Sequence, residues 1–182
     1  MDTNNIQKVL IVGGGTSGWM SAAYLSQALG KGYKIQLIES DEISTVGVCE
    51  ATIPPILNFN RALGIDENEF IKATQATFKL GIQFKNWGAL GDSYIHGFGT
   101  MGQNTGFIGF MHFWLKMQQA GKVTRLDDYS INLLACHQNK FCRASNEIKN
   151  SPLEDIGHAF HFDAGLYAKF LRHYSEKLGV IR

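Results

Sequence analysis

The sequence predicts an α/β fold with a Rossmann-like βαβ unit at about residues 6–40, on three observations. An apolar run with β-branched residues, Lys8 to Val12, passes directly into Gly13-Gly14-Gly15-Thr16-Ser17-Gly18. A stretch suited to a helix follows, from about Ser17 to Leu29, and Gly30-Lys31-Gly32 ends it. A second apolar run, Tyr33 to Ile38, then finishes on the acid Glu39. Strand, spaced glycines, helix, strand and acid, in that order, make up the unit that holds a dinucleotide.

Each element has a physical reason. The first run suits a buried parallel strand. Gly13 permits the tight turn out of it, Gly15 removes a side chain where backbone must approach a pyrophosphate, and Gly18 lets the helix lie close to the sheet. The helix N-terminus, carrying Thr16 and Ser17, presents free N–H groups and the positive dipole end to phosphate. Trp19, Ala22, Ala23, Leu25 and Ala28 are its expected apolar contacts. Glu39 stands where an acid accepts from ribose hydroxyls and repels a 2′-phosphate.

Further along, Val46 to Pro55 has no apolar period, and Gly47, Pro54 and Pro55 make it an irregular loop. Asp66-Glu67-Asn68-Glu69 fits a capping box, and the spacing predicts a helix over about 66–84. On it Lys72, Gln75, Ala76, Lys79 and Gln83 share one face, opposite Phe70, Thr74, Phe78 and Ile82. Periodicity alone makes Lys79 a solvated charge. Near the end, a cap at Asp163 opens an amphipathic helix with Leu166, Tyr167, Phe170, Leu171, Tyr174 and Leu178 on its apolar face. Gly179 closes it, and Val180 and Ile181 begin a further strand as the chain reaches Arg182. That ending reads as a fold truncated at its C-terminus, an edge strand at a true terminus being the other reading.

The composition narrows the function classes. A chain of 182 residues with 45% hydrophobic and 18% charged residues is a globular domain. A net charge of +1 offers no basic field for nucleic acid or an anionic membrane. No apolar segment approaches the roughly 18 residues that span a bilayer. The start, MDTNNIQKVL, has neither a basic n-region nor a long apolar core, so no secretory signal is expected. Three cysteines make no even disulfide framework, which fits a reducing cytoplasm. Cys136, His137 and Cys142 lack a second ligand pair, so no metal site is expected there, and His112, His158 and His161 read as structural.

A rarer set of motifs gives a more specific expectation. The loop VGVCEATIP, the pairs Phe78-Lys79 and Asn86-Trp87, the segment Tyr94-Ile95-His96-Gly97-Phe98-Gly99 and His161-Phe162-Asp163-Ala164 run through the whole chain. Together they resemble the N-terminal part of the flavin-dependent tryptophan halogenases. The resemblance implies FAD as cofactor, supplied reduced by a separate flavin reductase, chloride or bromide as co-substrate, and tryptophan or another indole as substrate. It implies that Gly13, Gly15, Thr16, Ser17, Gly18 and Glu39 hold the cofactor, with Val48, Cys49 and Ala51 in a flavin loop at about 44–58.

In the family a catalytic lysine acts on hypohalous acid formed away from the substrate. Lys79 stands in the same F-K context, upstream of the same N-W. His96 and Phe98 match the family segment that stacks against the indole. Two departures stand beside these matches. Cys49 replaces the family's usual glycine in V-G-x-G-E, and the family's W-x-W-x-I-P signature and second carboxylate fall further along than Arg182. Two other readings therefore stand: a flavin monooxygenase whose loop chemistry Cys49 marks, and a truncated flavin-binding module without catalysis.

Overall fold

Strand β1 (Lys8–Val12), helix α1 (Thr16–Leu29) and strand β2 (Lys34–Ile38) form the expected βαβ unit. β1 and β2 run parallel, in register from Lys8 opposite Lys34 to Val12 opposite Ile38. The computed structural model describes residues 6–43, 47, 50–122 and 125–182. It divides into two units, residues 1–77 with 160–182, and residues 78–159. The chain crosses between them within strands β4 (Thr77–Lys79) and β7 (Ala159–Phe162).

In the first unit, α1 packs against α6 (Ala164–Lys177). The face α1 buries is Trp19, Ala22, Ala23 and Ser26. Ala28, an expected contact, is exposed, and Leu25 is half-buried. β2 buries Ile35 and Leu37. Its free edge receives the end of the chain: Leu37 N–H donates to the Ile181 carbonyl at 2.8 Å and Ile181 N–H to the Ile35 carbonyl at 3.0 Å. The strand foreseen at Val180 and Ile181 thus begins as a parallel bridge to Gln36. β1 departs from the sequence reading, for Leu10 and Val12 are exposed. Among the described residues it pairs with β2 alone, so one edge stays open.

Strand β3 (Glu50–Ala51) pairs antiparallel with β7, Glu50 opposite Phe162 and Ala51 opposite His161. Thr52 extends this ladder with its side chain, its Oγ1 donating to the Phe160 carbonyl at 2.9 Å and accepting from Phe160 N–H at 3.0 Å. Helix α2 (Pro55–Ala62) follows with proline in its first turn, where a missing N–H costs nothing. Helix α3 (Glu67–Thr74) buries Phe70, whose ring meets Phe160 at 5.0 Å and both Phe162 and Tyr167 at 5.4 Å. Four rings at these separations form the centre of the first unit, worth about 1.5–3 kcal/mol of burial apiece.

The helix predicted over 66–84 stops at Thr74. Asp66 caps it as expected, accepting from Asn68 N–H at 2.9 Å and Glu69 N–H at 3.0 Å. Gln75 then adopts a left-handed backbone, φ 54°, with its N–H closing on the Ile71 carbonyl. Thr77 and Phe78, β-branched and aromatic, continue as strand β4 instead. Lys79 is therefore a strand residue, and the shared face with Lys72 and Gln83 does not exist.

The second unit is built on a hairpin of β5 (Gly81–Lys85) and β6 (Ser93–Gly97), antiparallel with Ile82 opposite His96 and Phe84 opposite Tyr94. Its connection is tied by Asp92 and Asn86, whose side chains accept from Ala89 N–H and Gly91 N–H. Helix α5 (Ile131–His137) packs on the hairpin, with Leu133 lying over Gly97 so closely that a side chain there would collide. Helix α4 (Phe110–Gln119) completes the unit and buries none of its residues. No helix among the described residues is long and apolar enough to cross a membrane.

Candidate functional site

The first unit carries a cleft of about 860 Å³ where β1 gives way to α1. Its wall includes Gly13 to Ser17, Glu39, Glu50, Thr52 and Phe162. The size is that of an ordinary small-molecule site. Gly13 has φ 115°, a conformation that L side chains rarely adopt, and its N–H donates to the Ile38 carbonyl at 2.8 Å, tying the loop to β2. A side chain on Gly18 would collide with the Gly13 carbonyl oxygen, so this glycine acts by packing behind the loop. Gly14 is needed as well, because a Cβ there would collide with the Glu39 carboxylate. Gly15 is different: a Cβ would meet nothing within 4 Å. Its missing side chain leaves open space in the cleft wall.

Thr16, the first residue of α1, has a buried hydroxyl with no hydrogen-bond partner among the described residues. A buried, unsatisfied hydroxyl costs free energy, and a ligand oxygen would supply its partner. With the first N–H groups of α1 and the open space at Gly15, it fits a pyrophosphate. The residues present therefore suit a dinucleotide.

Glu39 lines this cleft, yet its carboxylate already has protein partners. Trp19 Nε1–H donates to Oε2 at 3.2 Å. Arg182 Nε lies 2.6 Å from Oε1, and Arg172 Nη1 lies 3.5 Å from the same oxygen. A carboxylate offers about four acceptor positions, so a ribose hydroxyl can still be received. Ala51 does not line the cleft; its neighbours Glu50 and Thr52 do. Val48 and Cys49 lie outside the described residues.

In the second unit, Lys79 is 8% exposed and its Nζ lies 5.7 Å from the centroid of the Phe98 ring. Two sequence candidates are thus brought together. Burial pushes the Lys79 ammonium below the ordinary lysine range. The ring face acts the other way, since its quadrupole attracts a cation. Phe98 is itself buried, and its N–H donates to the Leu80 carbonyl at 2.7 Å. His96, two residues earlier, is exposed on β6.

Two groups escaped the sequence reading. Asn132, at 1% exposure, donates through Nδ2 to the Gly157 carbonyl at 2.6 Å and to the Leu80 carbonyl at 3.4 Å, bracing the residue next to Lys79. The arginines at Glu39 were missed because Arg172 lies 133 residues along the chain, beyond any local pattern. The indole of Trp19, read as an apolar contact only, carried the one available signal: a buried N–H seeks an acceptor.

The sequence profile of the tryptophan halogenases matches residues 8–182. The tryptophan 6-halogenase SttH of Streptomyces toxytricini is 36% identical over 99% of this chain and 38% of its own length. The tryptophan 7-halogenase RebH of Lentzea aerocolonigenes is 36% identical over 98% of this chain and 36% of its own. The solved structure of Xcc4156, a flavin-dependent halogenase from Xanthomonas campestris, superposes with a TM-score of 0.87 at 48% identity, over 97% of this chain and 34% of that one. BrvH, a flavin-dependent halogenase from Brevundimonas sp. BAL3, gives 0.86 at 43% identity, over 97% and 35%. The chain thus spans little more than a third of the relatives it matches. It belongs to the tryptophan halogenase family.

Proposed function

We propose that the protein halogenates tryptophan or a related indole, using FAD reduced by a separate flavin reductase, oxygen, and chloride or bromide. The observation that carries this reading is the burial of Lys79 against Phe98 in a chain of this family. Reduced FAD, when bound, supplies the electrons with which oxygen converts halide to hypohalous acid.

The chain's own residues do the rest. Thr16 Oγ1 and the first N–H groups of α1 hold the pyrophosphate, and Glu39 accepts from the adenosine ribose. Lys79 as an ammonium donates a hydrogen bond from Nζ to the oxygen of the hypohalous acid, which makes its halogen more electrophilic. As a neutral amine, which burial makes accessible at lower pH, its lone pair would instead attack the halogen, breaking the O–X bond to form N–X while the oxygen leaves as water with the amine proton. Phe98, beside Nζ, and the exposed His96 offer rings to an indole. A cytoplasmic setting belongs to the same proposal, supported by the free thiols of Cys136 and Cys142.

The test supplies the full-length protein with FAD, a flavin reductase, NADH, oxygen and chloride or bromide, and follows indole products by mass. Halogenated indole is expected, and Lys79→Ala should remove it while flavin binding and oxygen consumption persist. Lys72→Ala, an exposed residue of α3, is the control. Halogenation that survives Lys79→Ala as well as Lys72→Ala would refute the lysine's role. Hydroxylated product alone, across several indoles, would favour a monooxygenase.

A further inference from the structure

We infer that Trp19, Arg172 and Arg182 are positioning residues for the adenosine end of the cofactor, acting through Glu39. The inference rests on the proposal that the cleft binds FAD.

Glu39 lines the cleft, whereas its three partners do not. Each approaches from a different element. Trp19 comes from α1 with its side chain fully buried, so its Nε1–H is fixed in direction when it meets Oε2. Arg172 comes from α6, where Glu176 holds its Nε at 2.8 Å one turn away. The same guanidinium lies 5.9 Å from the Trp19 ring centroid, so it steadies both the indole and the carboxylate. Arg182 is divided between Glu39 Oε1 and the Asp41 carboxylate.

The result is an acid whose rotamer is set before any ligand arrives. A glutamate on an exposed strand end has rotamer freedom to lose on binding, and each fixed side chain spares that cost. Here the Glu39 side chain is only 14% exposed. Two cations beside it also keep the local field from becoming strongly negative. The acid can therefore sit against the glycine loop, where a Cβ on Gly14 would strike it, without driving off a diphosphate. The functional consequence is that adenosine affinity depends on three side chains that a ligand never touches.

Coupling to Glu39 is the property that separates positioning from simple support of the fold. Trp19→Phe, Arg172→Met and Arg182→Met are each made in the native protein and in Glu39→Gln, and FAD binding is read by equilibrium titration. Each should weaken FAD binding about tenfold in the native background, the scale of a bond to a charged group. In the Glu39→Gln background each should weaken it less than about twofold, because the residue they position is already gone. Lys169→Met, an exposed cation of the same helix, should change neither. Trp19 is deeply buried, so apo melting temperatures accompany the titrations, and the half-exposed Arg172 decides the matter if Trp19→Phe does not fold. Equal weakening in both backgrounds, or none in the native one, overturns the positioning role. Failure of the native protein to bind FAD overturns the cofactor reading, and the positioning role with it.

Discussion

Lys79 shows how one side chain balances opposed demands. Burial disfavours its charge and lowers its pKa from the ordinary value of 10.5, while the Phe98 face favours the cation. The sign for stability follows directly. With the folded pKa below the unfolded one, the unfolded chain binds more protons between the two values, so stability rises with pH across that window. The cost of the buried charge is fully present below the lowered pKa and is relieved as pH climbs towards 10.5. Lys79→Met should therefore flatten the stability profile relative to the native protein in the range just below 10.5, as read by denaturant titration at stepped pH. Parallel profiles would mean that Lys79 titrates like a solvated lysine. The sequence made this residue a candidate through its F-K context alone. Its burial was not legible, because the predicted helix put it on a polar face. The Glu39 partners were equally hidden: a glutamate after a strand announces a ribose, but nothing local announces an arginine 133 residues away.

At the scale of elements, local signals succeeded where they were self-contained and failed where the break was tertiary. The βαβ unit, the Asp66 cap and the Asp163 cap were each readable from a few adjacent residues, and all three are present. The end of α3 was not, because Gln75 is an ordinary helix former forced into φ 54° so that the chain can leave as β4. The packing of α3 explains why that strain is tolerated. Phe70 is fully buried among Phe160, Phe162 and Tyr167, which fixes the helix against α6. Phe70→Ala should cost about 3–5 kcal/mol, the range for emptying a packed aromatic site. Asp66→Ala removes the acceptor of two N–H groups and should cost about 1 kcal/mol. Urea denaturation distinguishes the two, and a Phe70→Ala loss no larger than that of Asp66→Ala would show that the ring cluster is not what anchors α3.

Over the whole molecule, the apolar surface is the outstanding property. In the first unit Leu10, Val12 and Ile38 are exposed along one small sheet, and in the second Trp87, Leu90 and Phe107 are exposed. Helix α4 adds Met111, Phe113, Leu115 and Met117, all between 40% and 45% exposed. Single exposed apolar residues are normal, but neighbours such as Leu10, Val12 and Ile38, which adjoin on the β1–β2 ladder, mark a surface that gains by being covered. The net charge of +1 gives little repulsion to oppose contact between molecules. Among the described residues β1 pairs with β2 alone, so its other edge adds unpaired backbone groups to the exposed sheet of the first unit. The 182-residue polypeptide should therefore self-associate, its sedimentation coefficient rising between about 1 and about 100 µM. Leu10→Lys and Phe107→Ser, each placing a polar group on an exposed apolar site, should move that rise to higher concentration without lowering the melting temperature by more than a few degrees. A single monomeric boundary throughout the range would mean that these side chains shield one another in solution, and that the exposed faces need no cover.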